Sequence, residues 1–237
     1  MAHFVGSNPH TDNWGEDYVI QKFTEYFDDS CIIYRNREVF GTQFDICVLI
    51  PNQGIAVVEV KAWKPTTIQR VENGDQIIIQ TSSGELVAAN PMKQARGYVF
   101  SLRNRIRQKT GKTPYVFPMV CFPQLTGPDY QFKHLEPVCE EESTLLKEDL
   151  ESKAALYRKV NLAMKNGQRS LSYCNLFDKK LVLQVRQLFE SELDLKSLDK
   201  NAQEKMVRSA PLKVDSIYSV FYFFQMGRNF TQDEINH

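Results

Sequence analysis

Apolar residues recur at helical steps across residues 14–27, where Val19, Ile20, Phe23 and Phe27 fall on one stripe, and this predicts a helix. Residues 31–34 then read as a short strand and residues 43–50 as a longer one, which ends in the turn-tolerant run Pro51-Asn52-Gln53-Gly54. Residues 55–61 return immediately, so the two longer strands form a hairpin. Both arms are apolar on both faces, the pattern of strands covered on two sides. Residues 67–71 and 76–80 flank Asn73-Gly74 and predict a second hairpin. Pro91 opens a segment reaching about residue 109 in which Ala95, Val99, Leu102 and Ile106 keep helical spacing, and Pro suits a first helical turn. Residues 115–122 are β-branched and aromatic enough for a last core strand, with Pro118 pointing to an edge or an irregularity.

Helix, strands, helix, strand is the order of an α/β layer fold with a mixed central sheet flanked by helices, and it covers residues 1–125. The texture changes beyond that point. Residues 136–151 are acidic, and helical patterns follow near residues 144–166, 178–193 and 199–208, so residues 126–237 are expected to form a mostly helical accessory or linker region.

Composition narrows the class. Of 237 residues, 42% are apolar and 24% charged, as in a chain that buries a real core. Basic and acidic residues number 29 each, so any polyanionic partner must be met by a local patch. The longest nearly apolar stretch, residues 218–226, is nine residues long, against the ~20 a helix needs to cross a bilayer. Residues 1–13 are polar and lack the features of a secretory signal. Five cysteines without a C-x-x-C pair fit neither a disulfide framework nor a zinc site, and Cys47 and Cys121, inside apolar runs, are expected to be core thiols. A reducing cytoplasm is the expected setting.

Three ionisable residues interrupt the first hairpin. Alternation puts Ile55, Val57, Glu59 and Lys61 on one face of the second arm. A three-residue turn pairs Ile50 with Gly54 and sets Asp45 opposite Glu59, about 5 Å away between Cβ atoms. Two facing carboxylates at a core edge repel and are costly to bury. Two arrangements relieve this: an internal ion network with Lys61, or a bound Mg²⁺ or Mn²⁺, hard cations that take oxygen ligands and activate water.

Phe44-Asp45, then Gly54-Ile55-Ala56-Val57-Val58-Glu59-Val60-Lys61-Ala62-Trp63, with Gly15-Glu16 on the preceding helix and Asn90-Pro91 followed by Gln94 and Tyr98, resembles the nuclease-related NERD branch of the PD-(D/E)xK nuclease superfamily. The resemblance covers about residues 14–122. It implies a restriction-endonuclease-like core in which Asp45, Glu59 and the Val60 carbonyl hold Mg²⁺ or Mn²⁺, Lys61 lies beside the attacking water, Glu16 completes the acidic site and Gln94 assists. Gln43-Phe44 stands where the superfamily's name-giving Pro would be.

Gln94 and Tyr98 share a helix face, where an amide and a phenol could hold a phosphate or orient Glu59 and Lys61. Between residues 86 and 128 there is no acidic residue, whereas Lys93, Arg96, Arg103, Arg105, Arg107, Lys109 and Lys112 all occur. This is a local basic patch, and Lys93, Arg96, Tyr98, Arg103 and Arg107 are the expected DNA contacts. Arg103, Arg105 and Arg107 cannot all point one way on a helix. Gly111-Lys112-Thr113 lacks the rest of a phosphate-binding loop, and the four histidines show no metal spacing.

The expected function is metal-dependent hydrolysis of DNA phosphodiester bonds in DNA processing, repair or defence. The competing expectation is a non-catalytic nucleic-acid-binding or docking module attached to a helicase motor. Residues 229–235 are similar to the entry of a superfamily 1 helicase motor, which suggests such a fused or associated partner.

Overall fold

Strands that are apolar on both faces need a covering layer on each side, and the chain supplies both. The computed structural model describes residues 1–5, 13–39, 42–168 and 174–190. Its strands are β1 (His3–Val5), β2 (Ile32–Val39), β3 (Thr42–Ile50), β4 (Gly54–Val60), β5 (Ile68–Glu72), β6 (Gln76–Thr81), β7 (Gly84–Ala88), β8 (Val116–Phe122) and β9 (Thr144–Leu146). Its helices are α1 (Trp14–Tyr26), α2 (Pro91–Thr110), α3 (Gly127–Phe132), α4 (Lys153–Gln168) and α5 (Lys179–Glu190). The main sheet has the order β1-β2-β3-β4-β8-β9, with β3 antiparallel to both β2 and β4 and the remaining pairings parallel. This is the expected mixed α/β core.

One face of the sheet, formed by Ile33, Ile46, Val48, Ala56, Val58 and Val60, is covered by Val19, Ile20 and Phe23 of α1 and by Leu156, Val160 and Ala163 of α4. On the other face Cys47, Leu49, Ile55 and Val57 meet Leu102 and Ile106 of α2 and Leu181, Val182 and Val185 of α5. Cys47 and Cys121 are fully buried, as expected of core thiols. The separate sheet β5-β6-β7 is antiparallel and turns at Asn73 and Gly74, both at positive φ, the backbone an Asn-Gly hairpin demands.

Helix α2 begins and ends where its sequence dictates. The Asn90 side chain accepts a hydrogen bond from the Lys93 N–H at 2.9 Å, Pro91 occupies the first turn, and Gly111 closes the helix in the left-handed region.

Several expectations change. Residues 31–34 are only the start of β2, which runs on to Val39. Strands β1, β7 and β9 were not predicted, and β9 takes residues 144–146 out of an expected helix. Pro118 lies within an interior strand: it pairs with Val57 of β4, while β9 joins β8 only from Val120 onward. The missing N–H therefore falls where β8 has no second neighbour, and the edge character that Pro implies is local. Composition shifts at residue 125, but packing does not divide there: β9 extends the main sheet, α4 and α5 cover its faces, and the compact unit runs through Glu192. The patterns at residues 199–208 and 218–226 and the helicase-like stretch at 229–235 lie outside the described residues. No helix among the described residues is long and apolar enough to cross a membrane.

Candidate functional site

The turn at residues 51–53 fixes the site. Ile50 pairs with Gly54 and the ladder continues to Ile46 opposite Val58, so Asp45 and Glu59 are the next residues beyond its last pair. The strands part there, and Asp45 uses Oδ2 to accept a hydrogen bond from the Val60 N–H at 2.7 Å. Alternation carries Asp45, Glu59 and Lys61 onto the face covered by α2, next to Cys47 and Val57.

Glu59 is 3% exposed, with Oε1 accepting from Lys61 Nζ at 2.6 Å and Oε2 buried without a hydrogen-bond partner. An orphaned carboxylate oxygen in a dry setting costs on the order of 1–3 kcal/mol. Asp45 lies in the field of this group. Burial and the Glu59 charge push its carboxyl up to about 6, against the opposing effects of the Val60 N–H, Lys61 and Arg35. Lys61 is bonded to one oxygen of one acid, so the three groups form a partial ion network that leaves acceptor capacity unused.

Tyr98 faces this pair from α2. Its phenol is raised from its ordinary value by burial and then by the charges of Glu59 and Asp45. One turn earlier, Gln94 Oε1 is buried and also lacks a hydrogen-bond partner. Tyr98 is thus set in the field of the acids, Gln94 lies one turn earlier on the same side of α2, and Val60 follows Glu59 at the end of β4.

Glu16 is placed differently. It is buried at the start of α1, on the other face of the sheet, where Oε2 accepts from Arg35 Nε at 3.2 Å and Oε1 accepts from the Asn13 amide. Arg35 also binds Asp17 through Nη1. Among the described residues no three His, Cys, Asp or Glu side chains are grouped so as to hold a metal ion, and Glu16 is paired with Arg35. Its charge is taken up by Arg35, which sequence reasoning missed. The signal was an Arg placed directly after Ile32, Ile33 and Tyr34, the buried start of β2.

Gly15 sets the approach of α1 to this region. A Cβ built there would meet the Ala62 Cβ at 2.5 Å, so only Gly lets the first turn of α1 pack on the chain just after Lys61. Gly15→Val is expected to cost about 1–3 kcal/mol, because backbone must move to relieve the overlap. A urea-unfolding series comparing it with Gly97→Val, where nothing lies within 4 Å, checks this.

The basic residues of α2 are not equally available. Lys93 binds Asp75 and Arg96 binds Glu140. Arg103 and Arg107 make no ion pair with another described residue, and they lie one turn apart on the helix, Arg107 exposed and Arg103 half-buried.

Residues 11–123 match the family model of the nuclease-related domain, NERD. These residues form a NERD domain. It runs from just before α1 to the end of β8 and takes in Asp45, Glu59, Lys61 and the whole of α2. The NERD domain has a restriction-endonuclease-like architecture, and its family is nuclease-related. No curated protein and no solved structure matches the chain.

Two carboxylates and a carbonyl are a donor set suited to Mg²⁺ or Mn²⁺, which keep their remaining positions for water and substrate oxygens. The unbonded Glu59 Oε2 and the raised Asp45 carboxyl are the features a cation would relieve. In its absence, the charge on Asp45 is a burden to the fold. The folded carboxyl binds its proton more tightly than the unfolded one, so the burden is absent in strong acid, grows as pH rises toward about 6, and is complete above it. Asp45→Asn, which keeps an acceptor for the Val60 N–H, is expected to stabilise the chelator-treated protein by on the order of 1–2 kcal/mol at pH 7.5 and to lose the gain by pH 4. Thermal melting at the two pH values is the check.

Proposed function

We propose that the NERD domain is a Mg²⁺- or Mn²⁺-dependent nuclease that hydrolyses phosphodiester bonds in DNA. The observation that carries this reading is the pairing of an orphaned, buried Glu59 oxygen with an Asp45 carboxyl raised by Glu59, at a strand end where Lys61 is also present. Among the residues at hand, Asp45, Glu59 and the Val60 carbonyl would hold the metal. The metal would supply charge neutralisation at the phosphate and a bound water acidic enough to attack phosphorus.

Lys61 contributes a cation next to Glu59, placed to stabilise negative charge as it develops on the phosphate or to steady the attacking water. Gln94 and Tyr98 wall the site from α2, and the Gln94 oxygen, unbonded in the protein, is an acceptor for that water. Glu16 acts at a distance: with Arg35 it fixes the start of α1, and Arg35 in turn favours the ionised form of Asp45. Arg103 and Arg107, with Lys93 and Arg96 once freed from their acidic partners, neutralise phosphates along the DNA backbone.

The alternative, a module that binds nucleic acid and delivers a partner such as a helicase motor without cutting, draws on the same basic helix. It gives no reason for facing carboxylates. Plasmid and linear DNA incubated with Mg²⁺ or Mn²⁺ distinguish the two. Cleavage that disappears with chelator and in Asp45→Ala supports the nuclease; equal cleavage by wild type and Asp45→Ala, or tight salt-dependent binding with no cleavage under either metal, overturns it.

A further inference from the structure

The outer face of α2 carries an aromatic ring where solvent would normally find a polar side chain. Phe100 is 69% exposed, and the residues four before, three after and seven after it are Arg96, Arg103 and Arg107. Steps of four, three and four place all four side chains on one stripe, about 16 Å long at 1.5 Å per residue. Pro91, Met92, Ala95, Leu102 and Ile106 do the packing for this helix, so Phe100 is not needed for its docking on the sheet.

We propose that Phe100 is a base-stacking anchor for single-stranded DNA, with Arg103 and Arg107 holding the flanking phosphates and Arg96 joining them when Glu140 releases it. This deepens the nuclease reading and rests on it for the choice of ligand. Arginine alone would bind duplex and single strand alike through their phosphates. A ring standing clear of the helix between arginines adds something only an unpaired strand can use, because the bases of a duplex are already stacked on one another. Polyanion attraction and a π-face on one stripe are the two components of a single-strand groove, and the charge of the stripe favours nucleic acid over an apolar protein surface as its occupant.

The test is equilibrium binding of a fluorescent oligothymidylate and a blunt duplex of equal length to the full chain, with Asp45→Asn throughout and chelator present. Phe100→Ala is expected to weaken single-strand binding at least about tenfold and duplex binding less than about twofold, and Phe100→Trp to restore the single-strand affinity. Arg103→Ala is expected to lower the salt dependence of single-strand binding by about 0.7 in slope, whereas Phe100→Ala leaves that slope unchanged. Equal loss on both ligands, or no loss on either, overturns the anchor. Because binding is read without cleavage, that result leaves Asp45-dependent hydrolysis standing; conversely, a strand-selective loss supports the anchor even where no cleavage is found.

Discussion

Replacing Lys61 with Ala is expected to slow Mg²⁺-dependent DNA cleavage by about 10²–10³-fold, the range for removing one group that stabilises charge in a transition state. The side chain follows β4 directly, at 21% exposure, and its one hydrogen bond among the described residues is to Glu59 Oε1 at 2.6 Å. Its loss therefore touches little packing and leaves the hairpin register intact, since that is set by the turn at residues 51–53 and the pairs from Ile50 to Ile46. A second effect follows in the metal-free protein: both oxygens of Glu59 are then without partners, which costs on the order of 1–3 kcal/mol. The two effects separate. Mn²⁺ should restore the melting temperature of Lys61→Ala while the single-turnover rate stays low; recovery of both together would mean that Lys61 is only a structural counter-ion.

Arg35→Ala is expected to destabilise the protein by about 3–5 kcal/mol, as for the breaking of a buried ion pair from one side. Arg35 is 5% exposed and holds Glu16 through Nε at 3.2 Å and Asp17 through Nη1, tying β2 to the first turn of α1. Without it the buried Glu16 carboxylate loses its ion-pair partner on β2. Lys in its place offers one point charge for two acids on different sides and should recover only part of the loss. Glu16→Gln combined with Arg35→Met should recover more, because the uncompensated charge disappears with its partner. Urea midpoints of the three variants order these cases; Arg35→Ala within about 1 kcal/mol of wild type would show that the pair carries little.

The central hairpin was legible because β-strands have a side-chain period of two and a three-residue turn fixes the register, so Asp45, Glu59 and Lys61 were assigned to one face without reference to anything distant. Helix α2 was legible for the same local reasons, in its apolar spacing, its Asn-Pro start and its Gly stop. Arg35 was not, since its acidic partners lie 19 and 18 positions earlier, on a helix whose packing against β2 no local pattern announces. Strands β1 and β9 are three residues each and exist because a longer parallel neighbour pairs with them. In β7 adjacent Leu86 and Val87 are both more than half exposed, which erases the alternation that marks a strand. The acidic text of residues 136–151 suggested a boundary, but Thr144, Leu145 and Leu146 inside it are buried against β8.

Facing carboxylates on β3 and β4 make sense as a place for a divalent ion, and the direct measurement is a Mn²⁺ titration followed by thermal melting of wild type, Asp45→Asn and Glu59→Gln in chelator-stripped buffer. A ligand that binds only the folded state stabilises it in proportion to RT ln(1 + [L]/Kd), so the wild-type melting temperature should climb with Mn²⁺ while both variants stay flat. A wild-type curve that does not move, or variants that climb with it, would contradict the assignment of Asp45 and Glu59 as the metal-binding pair.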